Sequence, residues 1–235
     1  AAQTKQWRNK ALSDTYEPGS TFKIITLAAT LDYGTVTMDS TFECDGSLTF
    51  RTERIRCWGN HGHQTLAEAC ENSCNCAFMQ MALDMGVDTF YDYIYAFGFG
   101  VSTESGIPGE DTGEVIHRKY VRETDLARIG FGQSVAVTPI QMITAACAVV
   151  NGGRLMKPYL VEAIEDSDGN LLRQMSPQVA ATPISAQTSA TMRRLLYGVV
   201  ENGGGKNAKT SGYAIGGKTG TAQIYKNGKI ESNLH

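Results

Sequence analysis

The sequence predicts an α+β fold in which helices flank antiparallel strands. Longer apolar runs carry helix start and stop signals, whereas shorter stretches alternate apolar with polar residues between turn pairs, as β-hairpins do. Hydrophobic residues make up 42% of the 235 positions, which is enough for a substantial core. Because no repeat or linker divides the chain, we predict one domain over residues 1–235.

The individual elements follow from apolar runs and the turns between them. The run from Ser20 to Leu31 is apolar nearly all round and is followed by Gly34, which predicts a buried helix. The other predicted helices cover residues 66–85, with a polar break at 71–75 that divides them in two, 139–150, and 185–201. Strands are predicted over residues 42–57 around Asp45-Gly46, 155–164 before the Asp168-Gly169 turn, and 213–225 before the Asn227-Gly228 turn.

The charge pattern excludes one class of protein. The net charge is -3, from 21 basic and 24 acidic residues, and no long run of one sign occurs. A nucleic-acid-binding protein presents a basic face, so we predict no nucleic-acid partner. No stretch approaches the ~18 consecutive apolar residues of a membrane span, so we expect none within this chain.

The first candidates for chemistry are Ser20 and Lys23, at the start of the predicted buried helix. Residues three apart share a helix face, so the amine can reach the hydroxyl. A serine becomes nucleophilic when a base removes its proton, and a lysine serves as that base when burial lowers its pKa. The alternative is a helix-capping serine beside a surface lysine, because this pattern arises by chance about once in a chain of this length.

Two later motifs supply further candidates. Ser73 and Asn75 lie at the break between two predicted helices, where they either point together into a cleft or simply cap helices. Lys218 and Thr219 lie in a glycine-rich segment that lets a substrate backbone approach closely and can bind a carboxylate. A phosphate-binding Walker loop leads into a helix, whereas a hairpin signal follows Lys218, so we exclude phosphate binding.

The order of these motifs identifies a family. Ser-x-x-Lys, Ser-x-Asn and Lys-Thr-Gly each occur once, in that order, at Ser20, Ser73 and Lys218. This resembles the penicillin-recognising serine enzymes, which comprise penicillin-binding proteins and serine β-lactamases. Further stretches make the chain similar to the transpeptidase domain of class B penicillin-binding proteins of the division or sporulation type: residues 16–23, 106–110, 130–139 and 217–223.

The resemblance implies a fold like that of penicillin-binding proteins and serine β-lactamases, with an antiparallel sheet flanked by helices and an all-helical part. In that fold strands precede the nucleophile, and further strands and a helix follow the Lys-Thr-Gly motif. Only 19 residues precede Ser20 and 14 follow Thr221. We therefore expect the chain to be a partial domain, truncated at both ends.

The resemblance also implies a role for each candidate in acyl transfer. Ser20 attacks the carbonyl between the two terminal D-alanines of a peptidoglycan stem peptide, and Lys23 acts as its base. Ser73, with Lys218 beside it, passes the proton to the leaving D-alanine, while Asn75 orients the substrate amide. An amine from a neighbouring stem peptide then takes the acyl group and forms the cross-link.

Substrate binding is implied for the last motif. Thr219 and Thr221 hold the terminal carboxylate beside Gly220, and the backbone amides of Ser20 and Thr221 form the oxyanion hole. β-Lactams mimic the D-alanyl-D-alanine end and leave Ser20 stably acylated. No cofactor is expected.

Three other activities compete with transpeptidation. The commonest β-lactamases need a Glu-x-x-Leu-Asn signature, which is absent between Asn75 and Lys218. A non-catalytic β-lactam sensor domain binds covalently without turnover, but the stretch from Glu17 to Ser20 fits the transpeptidases better. A D,D-carboxypeptidase differs only in its acceptor, so the sequence leaves it open.

Partners and location are likewise implied by the resemblance. The expected partners are stem peptides ending in D-Ala-D-Ala, β-lactam antibiotics, and a membrane glycan polymerase of the cell-wall machinery. The domain is expected outside the cytoplasm, in a full-length protein anchored to the cell membrane.

The cysteines predict one disulfide. Twelve residues separate Cys44 from Cys57, and a small β-excursion around Asp45-Gly46 brings its ends together. The implied extracytoplasmic location lets disulfides persist, and the alternative is two free, half-buried thiols.

A metal site is not expected from the sequence. The histidines His61 and His63 lie near several cysteines, namely Cys57, Cys70, Cys74 and Cys76. Their spacing matches no standard zinc pattern, and histidines in a polar loop usually face solvent. We therefore predict no metal ligands.

Overall fold

The structure is a computed structural model that describes residues 7–50 and 53–220, and the backbone of residues 224–226 and 229–231. These residues contain eight α-helices: α1 (Lys10–Ser13), α2 (Lys23–Tyr33), α3 (Leu66–Glu71), α4 (Asn75–Met85), α5 (Val87–Ala96), α6 (Glu123–Gly130), α7 (Pro139–Val150) and α8 (Ala186–Glu201). None of the helices in these ranges is both long and apolar enough to cross a membrane.

Short strands connect and border the helices. They are β1 (Thr41–Cys44), β2 (Ser47–Phe50), β3 (Glu53–Arg56), β4 (Gly62–Thr65), β5 (Glu114–Val115), β6 (Val135–Ala136), β7 (Leu155–Met156), β8 (Ala163–Glu165), β9 (Leu171–Gln174), β10 (Val179–Ala181), β11 (Ile224–Lys226) and β12 (Lys229–Glu231). In the described ranges they form six two-stranded antiparallel pairs: β1–β4, β2–β3, β5–β6, β7–β10, β8–β9 and β11–β12. The α+β class and the antiparallel pairing are confirmed, although the strands form separate pairs rather than one sheet.

Helix α2 lies at the centre of the core and contacts α4, α5, α7 and α8. Its side chains Ile25, Leu27 and Ala28 are buried, as its nearly all-apolar sequence requires. The close packing of α4 on α6 depends on Gly130, because a Cβ there would lie 2.7 Å from the carbonyl oxygen of Phe78. The helices therefore form a closely packed frame for the segments that surround the first turn of α2.

The predicted helices are confirmed, although α2 begins at Lys23, three residues after the predicted start at Ser20. Gly34 ends α2 in the left-handed conformation, with a φ of 89°. Helices α3 and α4 are separated at residues 72–74, and α7 begins with Pro139 behind a capping box of Thr138 and Gln141. Helices α5 and α6 were not predicted, because six of the ten residues of α5 are β-branched or tyrosine, and α6 is only eight residues long.

The strand predictions are partly correct. Residues 42–57 contain β1, β2 and β3, and the Asp168-Gly169 turn joins β8 to β9 as expected. The strand predicted over residues 155–164 is instead split into β7 and the start of β8. The Asn227-Gly228 turn lies outside the described residues.

The strand predicted over residues 213–225 is wrong for residues 213–220, which adopt no regular structure. This segment bonds to a helix instead of a strand, since the N–H of Gly217 donates to the carbonyl oxygen of Leu196 in α8 at 3.1 Å. A Cβ at Gly216 would lie 3.3 Å from the backbone of Leu196, so the glycine allows this close packing against α8.

Candidate active site

The turn that carries Ser20 is held by a second segment of the chain. Ser20 lies in a 3-10 turn over Gly19–Thr21, directly before α2. The N–H of Gly19 donates to the carbonyl oxygen of Gly132 at 2.9 Å, and a Cβ at Gly132 would lie 2.0 Å from the oxygen of Gly19. With its φ of +87°, Gly132 must be glycine for two independent reasons.

Lys23 is buried in the first turn of α2, with 1% of its surface exposed. Its Nζ donates to the carbonyl oxygen of Ser73 at 2.7 Å, to Ser73 Oγ at 3.0 Å, and to Asn75 Oδ1 at 2.7 Å. These three acceptors use all three donors of an ammonium group. Burial, together with the nearby charge of Lys218, lowers the pKa of Lys23 from 10.5 to about 7.

Ser73 and Asn75 are presented by the break between α3 and α4. Ser73 has a φ of 50°, a left-handed conformation that costs about 1–3 kcal/mol in a non-glycine residue and is found mainly at functional sites. Asn75 is the first residue of α4, and its Nδ2 donates to the carbonyl oxygen of Arg56 at 3.3 Å. The break is therefore more than a pair of helix caps, because both side chains bind Lys23.

Lys218 reaches the same serine from the other direction. Its Nζ donates to Ser73 Oγ at 2.8 Å and to the carbonyl oxygen of Thr219 at 3.1 Å. Burial lowers the pKa of Lys218 from 10.5 to about 8. Ser73 Oγ thus lies within hydrogen-bond distance of two amines, each with a lowered pKa.

The predicted residues converge on one cavity of about 500 Å³, whose walls include Ser20, Ser73, Asn75 and Thr219. Gly220 approaches the nucleophile turn so closely that a Cβ there would lie 2.9 Å from Cγ2 of Thr21. Thr221, predicted for the carboxylate and the oxyanion hole, lies outside the described residues. Within the described residues no hydrogen bond joins Ser20 Oγ to Lys23 Nζ, whose bonds go to Ser73 and Asn75.

Sequence reasoning missed several walls of this cavity. They are Trp58, Glu71, Asn202 and Lys206. Trp58 is 70% exposed, yet its Nε1 donates to the carbonyl oxygen of Asn72 at 2.9 Å, which fixes the indole at the rim. In the sequence, the one feature that could have indicated these wall residues was Trp58, a large aromatic residue in an otherwise polar loop.

A cluster of cysteine and histidine side chains lies beside the loop that carries Trp58. The sulfurs of Cys44, Cys57 and Cys74 and a ring nitrogen of His61 all lie within 4.8 Å of one another. Cys57 Sγ is 4.0 Å from Cys74 Sγ, and His61 Nδ1 is 3.4 Å from Cys44 Sγ and 3.7 Å from Cys57 Sγ. The other histidine considered, His63, points elsewhere and pairs with Glu43.

The predicted Cys44–Cys57 disulfide is not present in this structure, in which both residues are free cysteines. The β-excursion does bring the two ends together, as expected, since β1 pairs with β4 and the N–H of Cys57 donates to the carbonyl oxygen of Gly46 at 2.9 Å. Both sulfurs instead lie close to His61 Nδ1, which is 3.4 Å from Cys44 Sγ and 3.7 Å from Cys57 Sγ.

Comparison with known proteins agrees with this geometry. The family model of the penicillin-binding protein transpeptidase domain matches residues 1–234. The chain belongs to this family. The resemblance drawn from the three motifs is thereby confirmed, as is the fold class.

Individual relatives support the assignment. The chain is 43% identical to stage V sporulation protein D of Bacillus subtilis over 232 residues, which is 97% of this chain and 36% of that protein. The structure matches the D,D-transpeptidase domain of a peptidoglycan glycosyltransferase from Eggerthella lenta with a TM-score of 0.89 and 28% identity, covering 96% of this chain and 59% of that one. It also matches penicillin-binding protein 3 of Mycobacterium tuberculosis in complex with aztreonam, with a TM-score of 0.88 and 29% identity over 95% of this chain and 52% of that one. This transpeptidase-domain chain therefore spans about a third of the curated relative and little more than half of the solved chains.

Proposed function

We propose that this chain is the catalytic part of a peptidoglycan D,D-transpeptidase that works through an acyl-enzyme at Ser20. The observation that carries the proposal is the shared hydroxyl of Ser73, which lies 3.0 Å from Lys23 Nζ and 2.8 Å from Lys218 Nζ in the cavity that Ser20 lines. A serine, a lysine of lowered pKa and a second hydroxyl that can carry a proton are the parts that acyl transfer needs.

The two amines divide the proton transfers between them. With a pKa of about 7, Lys23 is partly neutral near neutral pH and takes the proton of Ser20 Oγ as that oxygen bonds to the substrate carbonyl carbon. With a pKa of about 8, Lys218 is mostly charged near neutral pH, and its ammonium group donates a hydrogen bond to Ser73 Oγ. The proton returns through Ser73 to the nitrogen of the leaving D-alanine when the amide bond breaks.

The acyl group then waits for an acceptor. The amine of a second stem peptide attacks the ester carbonyl, Ser20 regains its proton, and the two stems become cross-linked. Asn75 orients the substrate amide, and Thr219 and Thr221 bind the terminal carboxylate. The backbone N–H groups of Ser20 and Thr221 stabilise the oxyanion.

β-Lactams fit the same scheme as covalent inhibitors. The structurally similar penicillin-binding protein 3 was solved with aztreonam, which supports β-lactam binding at the matching cavity of this chain. The whole protein is proposed to be anchored in the cell membrane and to work beside a glycan polymerase. A link to glycan synthesis is supported by the E. lenta protein, which is itself named a peptidoglycan glycosyltransferase.

Intact mass after incubation with penicillin tests the nucleophile. We expect one adduct per chain, located at Ser20 by peptide mapping and absent from Ser20→Ala. Ser102→Ala, which changes an exposed serine outside the cavity, is the control and keeps the adduct. An adduct that persists in Ser20→Ala contradicts the assignment.

A second assay distinguishes transpeptidation from the two alternative activities. The protein is supplied with a stem pentapeptide as donor and a stem peptide amine as acceptor, and the products are separated by mass. Cross-linked dimer supports transpeptidation, whereas release of D-alanine with free tetrapeptide alone indicates a D,D-carboxypeptidase. Stable acylation by penicillin without either product indicates a sensor domain.

A further inference from the structure

We propose that Cys44, Cys57, His61 and Cys74 form a zinc site that holds the loop carrying Ser73 and Asn75. The four donor atoms lie within 4.8 Å of one another, although they come from β1, the segment after β3, and the loop before α4. Thiolate and imidazole donors of this kind select a borderline-soft metal ion, and three cysteines with one histidine is a frequent set in structural zinc sites.

The distances match a tetrahedral ion. Zn–S bonds of about 2.3 Å and a Zn–N bond of about 2.0 Å put two sulfurs roughly 3.8 Å apart, and a sulfur and a nitrogen roughly 3.5 Å apart. The Cys57–Cys74 sulfurs are 4.0 Å apart, and His61 Nδ1 lies 3.4 and 3.7 Å from the sulfurs of Cys44 and Cys57. A disulfide needs sulfurs about 2.05 Å apart, so the observed spacing fits shared ligation better than a bridge.

The surroundings favour a metal over a set of thiol hydrogen bonds. Cys44 and Cys74 are fully buried, and a thiol is only a weak donor and a weak acceptor. The other ring nitrogen of His61, Nε2, is buried and finds no hydrogen-bond partner among the described residues. The imidazole is therefore oriented by its Nδ1 contacts with sulfur and by the edge of the Trp58 ring, 4.7 Å away between centroids.

One further cysteine adjoins the group. Cys76 is buried and contacts the thiols of Cys44, Cys57 and Cys74. It does not belong to the set whose ligand atoms all lie within 4.8 Å, so we assign it a neighbouring rather than a ligating position. Cys57 and His61 are only half-buried, which leaves an entry path for the ion.

The site is joined to the catalytic loop by the backbone. Cys74 lies between Ser73 and Asn75, and the N–H of Asn75 donates to Cys57 Sγ at 3.2 Å. An ion bound to Cys57 and Cys74 would therefore hold both sides of the turn at which Ser73 adopts its left-handed conformation. Its binding displaces one proton from each protonated thiol and involves no oxidation.

Metal content is the first test and needs no activity. We expect the chain, purified with a reductant and without a chelator, to contain one zinc per molecule by elemental mass spectrometry. Cobalt added to the metal-free chain should give the charge-transfer absorption of a thiolate-bound tetrahedral ion. A chain that holds no zinc and takes up no cobalt overturns the proposal.

Variants test the donor set. Cys44→Ser and His61→Asn should each weaken zinc binding by more than about tenfold, the smallest effect expected even for an outer-shell partner. Cys147→Ser, which changes an exposed cysteine outside the group, and Cys76→Ser should retain the metal. Retention of wild-type affinity in both ligand variants overturns the site, and if those variants do not fold, the cobalt spectrum of the wild-type chain decides.

Acylation tests the link to the loop. We expect zinc removal by a chelator to slow the acylation of Ser20 by penicillin at least about tenfold, and added zinc to restore it. An acylation rate that is the same with and without bound zinc overturns the positioning role. Because zinc content and the cobalt spectrum are measured without a substrate, failure of the metal site is distinguishable from failure of the proposed transpeptidase activity.

Discussion

Lys23 and Lys218 bind the same hydroxyl from two very different positions. Lys23 extends from the first turn of a buried helix, and three acceptors surround its amine. Lys218 extends from a half-buried segment without regular structure, and its remaining contacts are to the adjacent Thr219. The more buried amine has the lower pKa, about 7 against about 8, which supports the proposed roles of Lys23 as base and Lys218 as acid.

Lys23→Arg removes the base and has the largest expected effect. Arginine stays protonated, so the acylation rate constant above neutral pH should fall by roughly a thousandfold. In the wild type the rate should rise as the pH increases through about 7, because the neutral amine is the active form. Stopped-flow acylation across the neutral range measures both effects, and a rise with pH that survives in the arginine variant contradicts the role of Lys23.

Gly132→Ala disturbs the turn that carries Ser20 and leaves the amines of Lys23 and Lys218 unchanged. A Cβ there meets the oxygen of Gly19 at 2.0 Å in addition to the strain of a positive φ, so we expect a loss of about 3 kcal/mol in the free energy of unfolding. Gly152→Ala is the matched control, because its φ is +94° but nothing lies within 4 Å of its Cβ. It should lose only about 1 kcal/mol. Equal losses by denaturant unfolding contradict the close contact between Gly19 and Gly132.

Lys23→Met should stabilise the chain, by about 2 kcal/mol at a pH below 7. Burial lowers the pKa of Lys23 from 10.5 in the unfolded chain to about 7 in the folded state. The free-energy penalty for burying the charged amine is therefore complete below a pH of about 7, and it shrinks as the pH rises towards 10.5. The gain in the melting temperature should shrink over the same range. For Lys218→Met the gain should persist to about 8 before it shrinks. A pH-independent gain in both variants refutes the difference between the two amines.

Lys218→Arg has the smallest expected effect, a loss of about tenfold or less in acylation near neutral pH, because the positive charge beside Ser73 remains. The wild-type rate should fall as Lys218 loses its proton above about 8. Arginine keeps its proton, so this descending limb should move to higher pH while the ascending limb stays in place. Loss of the ascending limb instead would exchange the roles assigned to the two lysines.

The sequence was sufficient for the parts of the site that lie within single motifs. The spacing of Ser20 and Lys23 and the break before Asn75 appear in the structure as predicted, because local helix signals determine them. The convergence of Ser20, Ser73 and Lys218 was implied by the order of the motifs, since each lies far from the others in the chain.

The remaining features depend on contacts between distant segments. The Lys218 segment was predicted as a strand, but its backbone bonds to α8, a tertiary contact without a local signal. Cys44 and Cys74 meet because β1, which pairs with β4, also contacts α4, and the irregular spacing of the four donors concealed this arrangement. The pairing of β1 with β4 therefore contributes to the cysteine–histidine cluster, although no sequence motif indicates it.

The fixed indole of Trp58 gives the protein a built-in optical reporter. The chain has only two tryptophans, and the other, Trp7, is 85% exposed and does not line the catalytic cavity. Trp58 borders the cavity on one side and touches the His61 ring on the other, so a molecule that enters the cavity, or a change in the charge of that imidazole, alters the surroundings of the same fluorophore. With Trp7 replaced by phenylalanine, the emission of a single residue would follow events at both centres without any added label.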